Sequence, residues 1–124
     1  MINYIGKITI YVEDQEAAIT FWKEKMGFVC QEQLMGPNFK WVEVRPTEST
    51  VTSFVLYPKQ LMKSQNPNAN LGHPSIIMST QNIEITHQEM EENGITVTDV
   101  SVMPYGKMFT FHDQDGNSYL IRED

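Results

Sequence analysis

The chain has 124 residues, enough for one hydrophobic core and too few for two domains of ordinary size. Apolar residues make up 40% and charged residues 20%, with a mean hydropathy of -0.36, and no apolar run approaches the roughly 18 residues of a membrane span. Nine basic against sixteen acidic residues leave a net charge of -7, the wrong sign for gripping phosphate backbones, so nucleic acid is not an expected partner.

Residues 1–12 carry neither a basic leader segment nor a small-residue cleavage site, and the single Cys30 rules out an internal disulfide or a cysteine-based metal cluster. A cytoplasmic setting is expected. Lys7 to Val12 alternates with period two, placing Ile8, Ile10 and Val12 on one face and Lys7, Thr9 and Tyr11 on the other, so it predicts a half-buried strand. Asp14 then caps a helix carrying Ala18, Phe21, Trp22 and Met26, which Gly27 stops. Strands follow at Val29 to Leu34, at Lys40 to Arg45 beyond a Gly36-Pro37-Asn38 turn, and at Ser53 to Tyr57.

Residues 58–73 have no sustained period and read as a plain connection. Beyond them the order repeats: a strand from Ser75 to Thr80, a helix with Ile83, Ile85, His87 and Met90, a stop at Asn93-Gly94, then strands at Thr96 to Met103, Lys107 to His112 and Ser118 to Arg122. Aligned on Gly27 and Gly94, the halves match element by element, which predicts an α+β fold of two tandem βαβββ modules. The expected layout is one domain over 1–124, with a first module over about 5–57, a connection over 58–73 and a second module over about 74–124.

One helix covers one face of each sheet, and the two remaining faces are expected to close around a groove. Alternation assigns to that groove Lys7, Thr9 and Tyr11; Trp41, Glu43 and Arg45; Val55 and Tyr57; and Ser75, Ile77, Met108, Thr110, His112, Ser118, Leu120 and Arg122. Of these, Lys7, Tyr11, Trp41, Arg45, Tyr57, Met108 and Arg122 are the expected ligand-binding residues. Trp41 is equally compatible with stacking on a ligand and with packing. Glu43 and His112 lie on the groove face of corresponding strands in the two modules and offer a carboxylate and an imidazole for acid–base chemistry, although Glu43 also has Lys7 and Arg45 as ion-pair partners on its own wall. His87, among Gln88, Glu89, Glu91 and Glu92, reads as part of a solvated face.

The segments Ile10-Tyr11-Val12-Glu13-Asp14, Phe21-Trp22 and Met26-Gly27-Phe28, together with the hairpin Phe111-His112-Asp113-Gln114-Asp115-Gly116-Asn117, resemble the vicinal oxygen chelate (VOC) superfamily of glyoxalases, bleomycin resistance proteins and dioxygenases. Gln114 stands where the family hairpin has proline. The resemblance implies the duplicated fold, a homodimer and, in metal-dependent members, four His or Glu ligands on the inner strands. Here those positions read Lys7, Val55 (or Leu56 if the register slips), Ser75 and Leu120, none of them an ordinary ligand, so no metal and no other cofactor is expected. A shifted register at Gly72-His73 restores His73 alone, one ligand of four.

The expected function is therefore binding of a small organic molecule in a metal-free groove. It resembles the bleomycin-binding branch, with antibiotic sequestration and metabolite binding both open. The alternative is a glyoxalase-like lyase or isomerase, or another group-transfer enzyme, using Glu43 or His112 as base and Lys7 as electrostatic stabiliser.

Overall fold

The computed structural model describes residues 1–124, and their contacts divide them into two compact units, Met1–His73 and Pro74–Asp124. In the first unit, strands β1 (Lys7–Val12), β2 (Val29–Leu34), β3 (Lys40–Arg45) and β4 (Ser53–Pro58) form a sheet in the order β1-β4-β3-β2. β1 runs parallel to β4, and the other pairs are antiparallel. Helix α1 (Gln15–Ile19) lies between β1 and β2 and is capped by Asp14, whose carboxylate accepts from the Glu16 and Ala17 backbone N–H groups at 2.9 and 3.2 Å.

The apolar periodicity read over this helix is present, but only its first turn is α-helical. Thr20–Lys25 continues as π-helix, with Met26 N–H donating to Phe21 O at 3.0 Å. This wider turn carries Phe21 and Trp22 onto the sheet, where the fully buried Trp22 ring meets Phe21, Phe28 and Phe54 at centroid distances of 5.0–5.4 Å. Ile10, Val12, Val42, Val44, Phe54 and Leu56 are buried on that side, while Ile8 is only half-buried. Gly27, at φ 72°, makes the left-handed exit into β2.

In the second unit, β5 (Ile77–Thr80), β6 (Thr96–Val97), β8 (Gly106–His112) and β9 (Ser118–Glu123) follow the path β5-β9-β8-β6, with β7 (Ser101–Met103) also paired to β8. Its first strand again runs parallel to its last. Helix α3 (Ile83–Glu92) is capped by Asn82 and covers Phe109, Phe111, Tyr119 and Ile121, all buried, together with its own Ile83 and Met90. The two units therefore share one strand order and one helix placement, as the internal repeat requires, and the α+β class is the one read from the sequence.

Four expectations need correction. The connection over 58–73 contains helix α2 (Lys59–Gln65), which buries none of its own residues and so lacks the apolar stripe by which a helix is recognised. The strand expected over Thr96 to Met103 is interrupted at 98–100, where the Thr98 hydroxyl accepts from Thr110 N–H at 2.9 Å. Ser75 lies outside β5, because Pro74 has no N–H to give a ladder; pairing begins with Leu120 N–H donating to Ile76 O. Finally, His87 does not sit on a solvated face. Its Nε2 lies 2.8 Å from Thr98 O and its ring packs edge-on against Phe109 at 4.9 Å.

Candidate functional site

The face of the first sheet opposite α1 is organised around Glu43. Its Oε1 accepts from Lys7 Nζ at 2.8 Å and from Ser53 Oγ at 2.8 Å, and its Oε2 accepts from Trp41 Nε1 at 2.7 Å. Arg45 Nη2 stands 3.9 Å from the same carboxylate and donates to Gln31 Oε1 at 2.9 Å, while Nη1 reaches Thr50 O at 3.4 Å. Strand pleating explains this gathering: Trp41, Glu43 and Arg45 share one face of β3, Lys7 sits opposite Ser53 across β1 and β4, and Gln31 and Gln33 sit opposite Glu43 and Trp41 across β2 and β3.

Burial pushes the Glu43 carboxyl upward, but the hydrogen bonds from Lys7, Trp41 and Ser53 and the Lys7 charge outweigh it and hold the group down at about 2. It is therefore ionised throughout the physiological range and a poor proton acceptor. Its arrangement suits it to another task, fixing the plane of the Trp41 indole. Trp41, Glu43, Gln31, Gln33 and Glu32 line an open recess of about 440 Å³. On the other, α1-covered side of the sheet Lys40 donates to Glu32 at 2.8 Å and to Glu16; those hydrogen bonds lead the causes that raise its pKa.

Along the same sheet face, Tyr11 meets Tyr57 edge-on at 6.3 Å, and Tyr57 also packs against Phe39 at 5.4 Å. The Tyr57 hydroxyl donates to Gln65 on α2 at 2.5 Å, tying that helix to the aromatic row. In the second unit Met108 and Arg122 are cross-strand partners, and Arg122 Nη2 donates to Tyr105 O at 3.2 Å. His112, opposite Ser118 in the same ladder, has a buried Nδ1 with no hydrogen-bond partner, so no acceptor orients its ring through that nitrogen as an acid–base histidine requires.

The first unit thus brings together Lys7, Trp41, Glu43 and Arg45, and beside them Tyr11 and Tyr57. The second brings together Met108 and Arg122. Ser53, Gln31 and Gln33 belong to the site and were absent from the sequence-based set. The signal for the glutamines was the β2–β3 register: the turn at 36–38 pairs residue 33 with 41 and residue 31 with 43, so their side chains share the Trp41 face.

The donor set does not fit a metal ion. At the four positions the family uses, Lys7 is committed to Glu43, Val55 is only 2% exposed in a central strand, Ser75 precedes β5, and Leu120 pairs with Ile77. No three His, Cys, Asp or Glu side chains are grouped as ligands anywhere in the protein.

Two units that repeat the βαβββ order define a class of fold, and sequence comparison supplies the family. Residues 4–119 match the model of the Glyoxalase/Bleomycin resistance protein/Dioxygenase superfamily, and the chain belongs to it. It is 38% identical over 126 residues to the uncharacterized protein YetH of Bacillus subtilis (strain 168), covering 99% of this chain and 100% of YetH. Among solved structures it is similar to TnmS3, an antibiotic binding protein from Streptomyces sp. CB03234, at 25% identity and a TM-score of 0.81, covering 98% of this chain and 96% of TnmS3. A superfamily member from Sphaerobacter thermophilus DSM 20745 also superposes with a TM-score of 0.81, at 27% identity, over 99% of this chain and 98% of that one.

Proposed function

We propose that this protein binds a small organic molecule on the open face of its first sheet, without a resident metal ion, and that Trp41 is the anchor. The observation that carries this reading is the Trp41 ring itself, half-buried at the side of a 440 Å³ recess and locked by the Glu43 carboxylate. A rigid aromatic surface loses little conformational freedom when a ligand stacks on it, which is why such residues dominate binding sites. The likeness to TnmS3, an antibiotic binding protein, supports a binding role. A general-base role for Glu43 is disfavoured by its low basicity and by the three donors that occupy it. The free thiol of Cys30 suits a reducing cytoplasm.

Thermal-shift screening of antibiotics and metabolites is the first test, since a ligand that binds only the native state raises apparent stability. For a ligand found in this way, Trp41→Ala is expected to weaken affinity by roughly 1–3 kcal/mol. Equal affinity for the folded variant and the wild type would remove Trp41 from the site. Metal analysis after mild purification is expected to find no stoichiometric Zn, Ni, Mn or Fe; one ion per chain, lost on His73→Ala, would overturn the metal-free reading.

We also propose a homodimer. β1 and β5 are edge strands with open ladders, and Ile77 on β5 is 64% exposed, surface that a second copy is suited to cover. Light scattering is expected to give twice the 14.3 kDa chain mass, and a concentration-independent monomer would refute it.

A further inference from the structure

We infer that the ligand of the Trp41 recess is an aromatic carboxylate, its ring stacked on Trp41 and its carboxylate bridging Lys7 and Arg45. This ligand class rests on the reading of that recess as the binding site and adds the chemistry of what enters it. Strand pleating decides which charges count. Lys40 and Glu32 project to the α1-covered side of the sheet, so although Glu32 borders the recess its carboxylate belongs to the other face, where Lys40 holds it. On the recess side the charged side chains of the four strands are Lys7 on β1 and Glu43 and Arg45 on β3. Glu13, just past the end of β1, is matched by Lys59 at 3.3 Å. Two cations therefore face one carboxylate, in a chain with sixteen acidic and only nine basic residues.

The surplus charge is centred on Arg45. Lys7 Nζ donates to Glu43 Oε1 at 2.8 Å, whereas Arg45 Nη2 stays 3.9 Å from that oxygen, beyond hydrogen-bond reach. Neutral oxygens hold the guanidinium instead, Gln31 Oε1 at 2.9 Å and Thr50 O at 3.4 Å. With its side chain only 22% exposed, Arg45 is a positioned, part-buried cation to which no carboxylate is hydrogen-bonded. Its fork of five N–H groups has donors to spare, and so does the half-exposed Lys7 ammonium. Because both nitrogens approach one oxygen, they lie no farther apart than the sum of 2.8 and 3.9 Å. A second carboxylate, each oxygen accepting at about 2.8 Å, spans that gap and brings the face to two cations against two anions.

The ring follows from where the indole sits. Glu43 Oε2 takes Trp41 Nε1 at 2.7 Å while Oε1 faces the cations, so one carboxylate's width separates the edge of the indole from the surplus charge. A carboxylate attached directly to a flat ring reaches both. An acid without a ring leaves the indole in water, and a neutral ring leaves Arg45 without its counter-charge. A cationic ligand meets two like charges and must break the Lys7–Glu43 pair to find a partner.

Three probes that share one ring system and differ in charge separate these possibilities: 2-naphthoate, 2-naphthamide and 2-naphthylmethylammonium. Each is titrated into isotope-labelled protein at physiological ionic strength, where the net acidity of the chain is screened, and followed by NMR through the indole N–H signals. The chain has two tryptophans, and the signal lost in Trp41→Ala identifies that of Trp41. Naphthoate is expected to move that signal and to bind about tenfold or more tightly than naphthamide, with the ammonium weakest, the scale of a hydrogen bond to a charged group. Arg45→Gln removes the surplus charge and is expected to reduce the preference for naphthoate over naphthamide to about twofold or less. Lys7→Met should reduce it in the same direction, and the order of the probes on wild type decides the matter by itself if Arg45→Gln fails to fold.

Naphthamide or the ammonium binding as tightly as naphthoate, naphthoate leaving every signal unmoved up to its solubility limit, or an unchanged preference in folded Arg45→Gln would each overturn the inference. The Trp41 signal keeps these outcomes separate from the underlying reading. If the neutral or the cationic probe binds best and moves that signal, the recess is the site and the ligand class is wrong. If naphthoate binds without moving it and its affinity survives Trp41→Ala, the recess is not the site and both fall.

Discussion

Replacing Asp113 by alanine is expected to lower the stability of the protein by about 3–5 kcal/mol, the upper range for a single substitution. Asp113 is 6% exposed at the end of β8, and its carboxylate organises the whole β8–β9 hairpin. Oδ1 accepts from the backbone N–H groups of Asp115 and Asn117 at 2.9 and 3.0 Å, and Oδ2 accepts from the Tyr119 hydroxyl at 2.7 Å and from Asn117 Nδ2 at 3.3 Å. Burial first, and then the hydrogen bond and charge of Asp113, push the Tyr119 phenol upward, so the hydroxyl keeps its proton and always donates. Removing the carboxylate strands that buried hydroxyl and two turn N–H groups at once, and an unsatisfied buried donor costs more than the bond that satisfied it contributed. Tyr119→Phe deletes one donor together with its need for a partner and is expected to cost only about 1 kcal/mol. Urea unfolding of the two variants checks the contrast; an Asp113→Ala cost no larger than that of Tyr119→Phe would show that the hairpin holds without its carboxylate.

The same hairpin shows what was legible in the sequence. Asp115-Gly116-Asn117 announced a turn because Gly116 adopts φ 80°, a conformation that side chains resist, and the alternating residues on either side fixed which of them face the helix. Period-two alternation and the flanking turn residues likewise gave β1, β2 and β3 with their observed bounds. What escaped was structure held by contacts rather than by pattern. Helix α2 buries no residue of its own and is tied down by Tyr57–Gln65 and by the Lys59–Glu13 pair, neither of which leaves a periodic trace. The π-helical turn at Thr20–Lys25 keeps the spacing of an amphipathic helix closely enough to read as one.

At the site, the side of the sheet for Lys7, Trp41, Glu43 and Arg45 follows from alternation, but their hydrogen bonds do not. Glu43 was named both as a possible base and as a partner for Lys7 and Arg45, and choosing between those roles needs the distances to Trp41 and Ser53. Ser53 was missed although it begins a strand whose alternation had been read, because a small polar residue at a strand end gives no hydrophobic signal. It is nonetheless 2% exposed and points its hydroxyl at the carboxylate.

Glu43→Gln is expected to destabilise the protein at neutral pH by about 1–3 kcal/mol, and the difference from wild type is expected to disappear as the solution is acidified. The direction follows from the carboxyl being more acidic in the folded chain, at about 2, than its ordinary value of 4.5. The folded state then binds fewer protons than the unfolded one, so the ionised carboxylate contributes stability above about pH 4.5. That contribution, at most about 3 kcal/mol, is lost as the pH falls through 4.5 towards 2. Glutamine cannot titrate, so its variant lacks the contribution at every pH. Unfolding wild type and Glu43→Gln in urea at pH 7, 4.5 and 2.5 should therefore give free-energy gaps that shrink in that order, whereas a gap independent of pH would mean that the Lys7, Trp41 and Ser53 hydrogen bonds do not favour the charged form. Lys7→Met provides the internal control. Lys7 is half-exposed, and losing it removes both the leading hydrogen bond and the charge that hold the carboxyl down, so the carboxyl should become less acidic while Trp41 and Ser53 still donate to it. Since Glu43 also sets the plane of the indole, the Gln variant should report on the recess as well as on stability. Trp22 is fully buried on the other side of the sheet and Trp41 is half-exposed, so a change in quenching by acrylamide in Glu43→Gln but not in Lys7→Met would trace the loosened ring to the lost carboxylate charge.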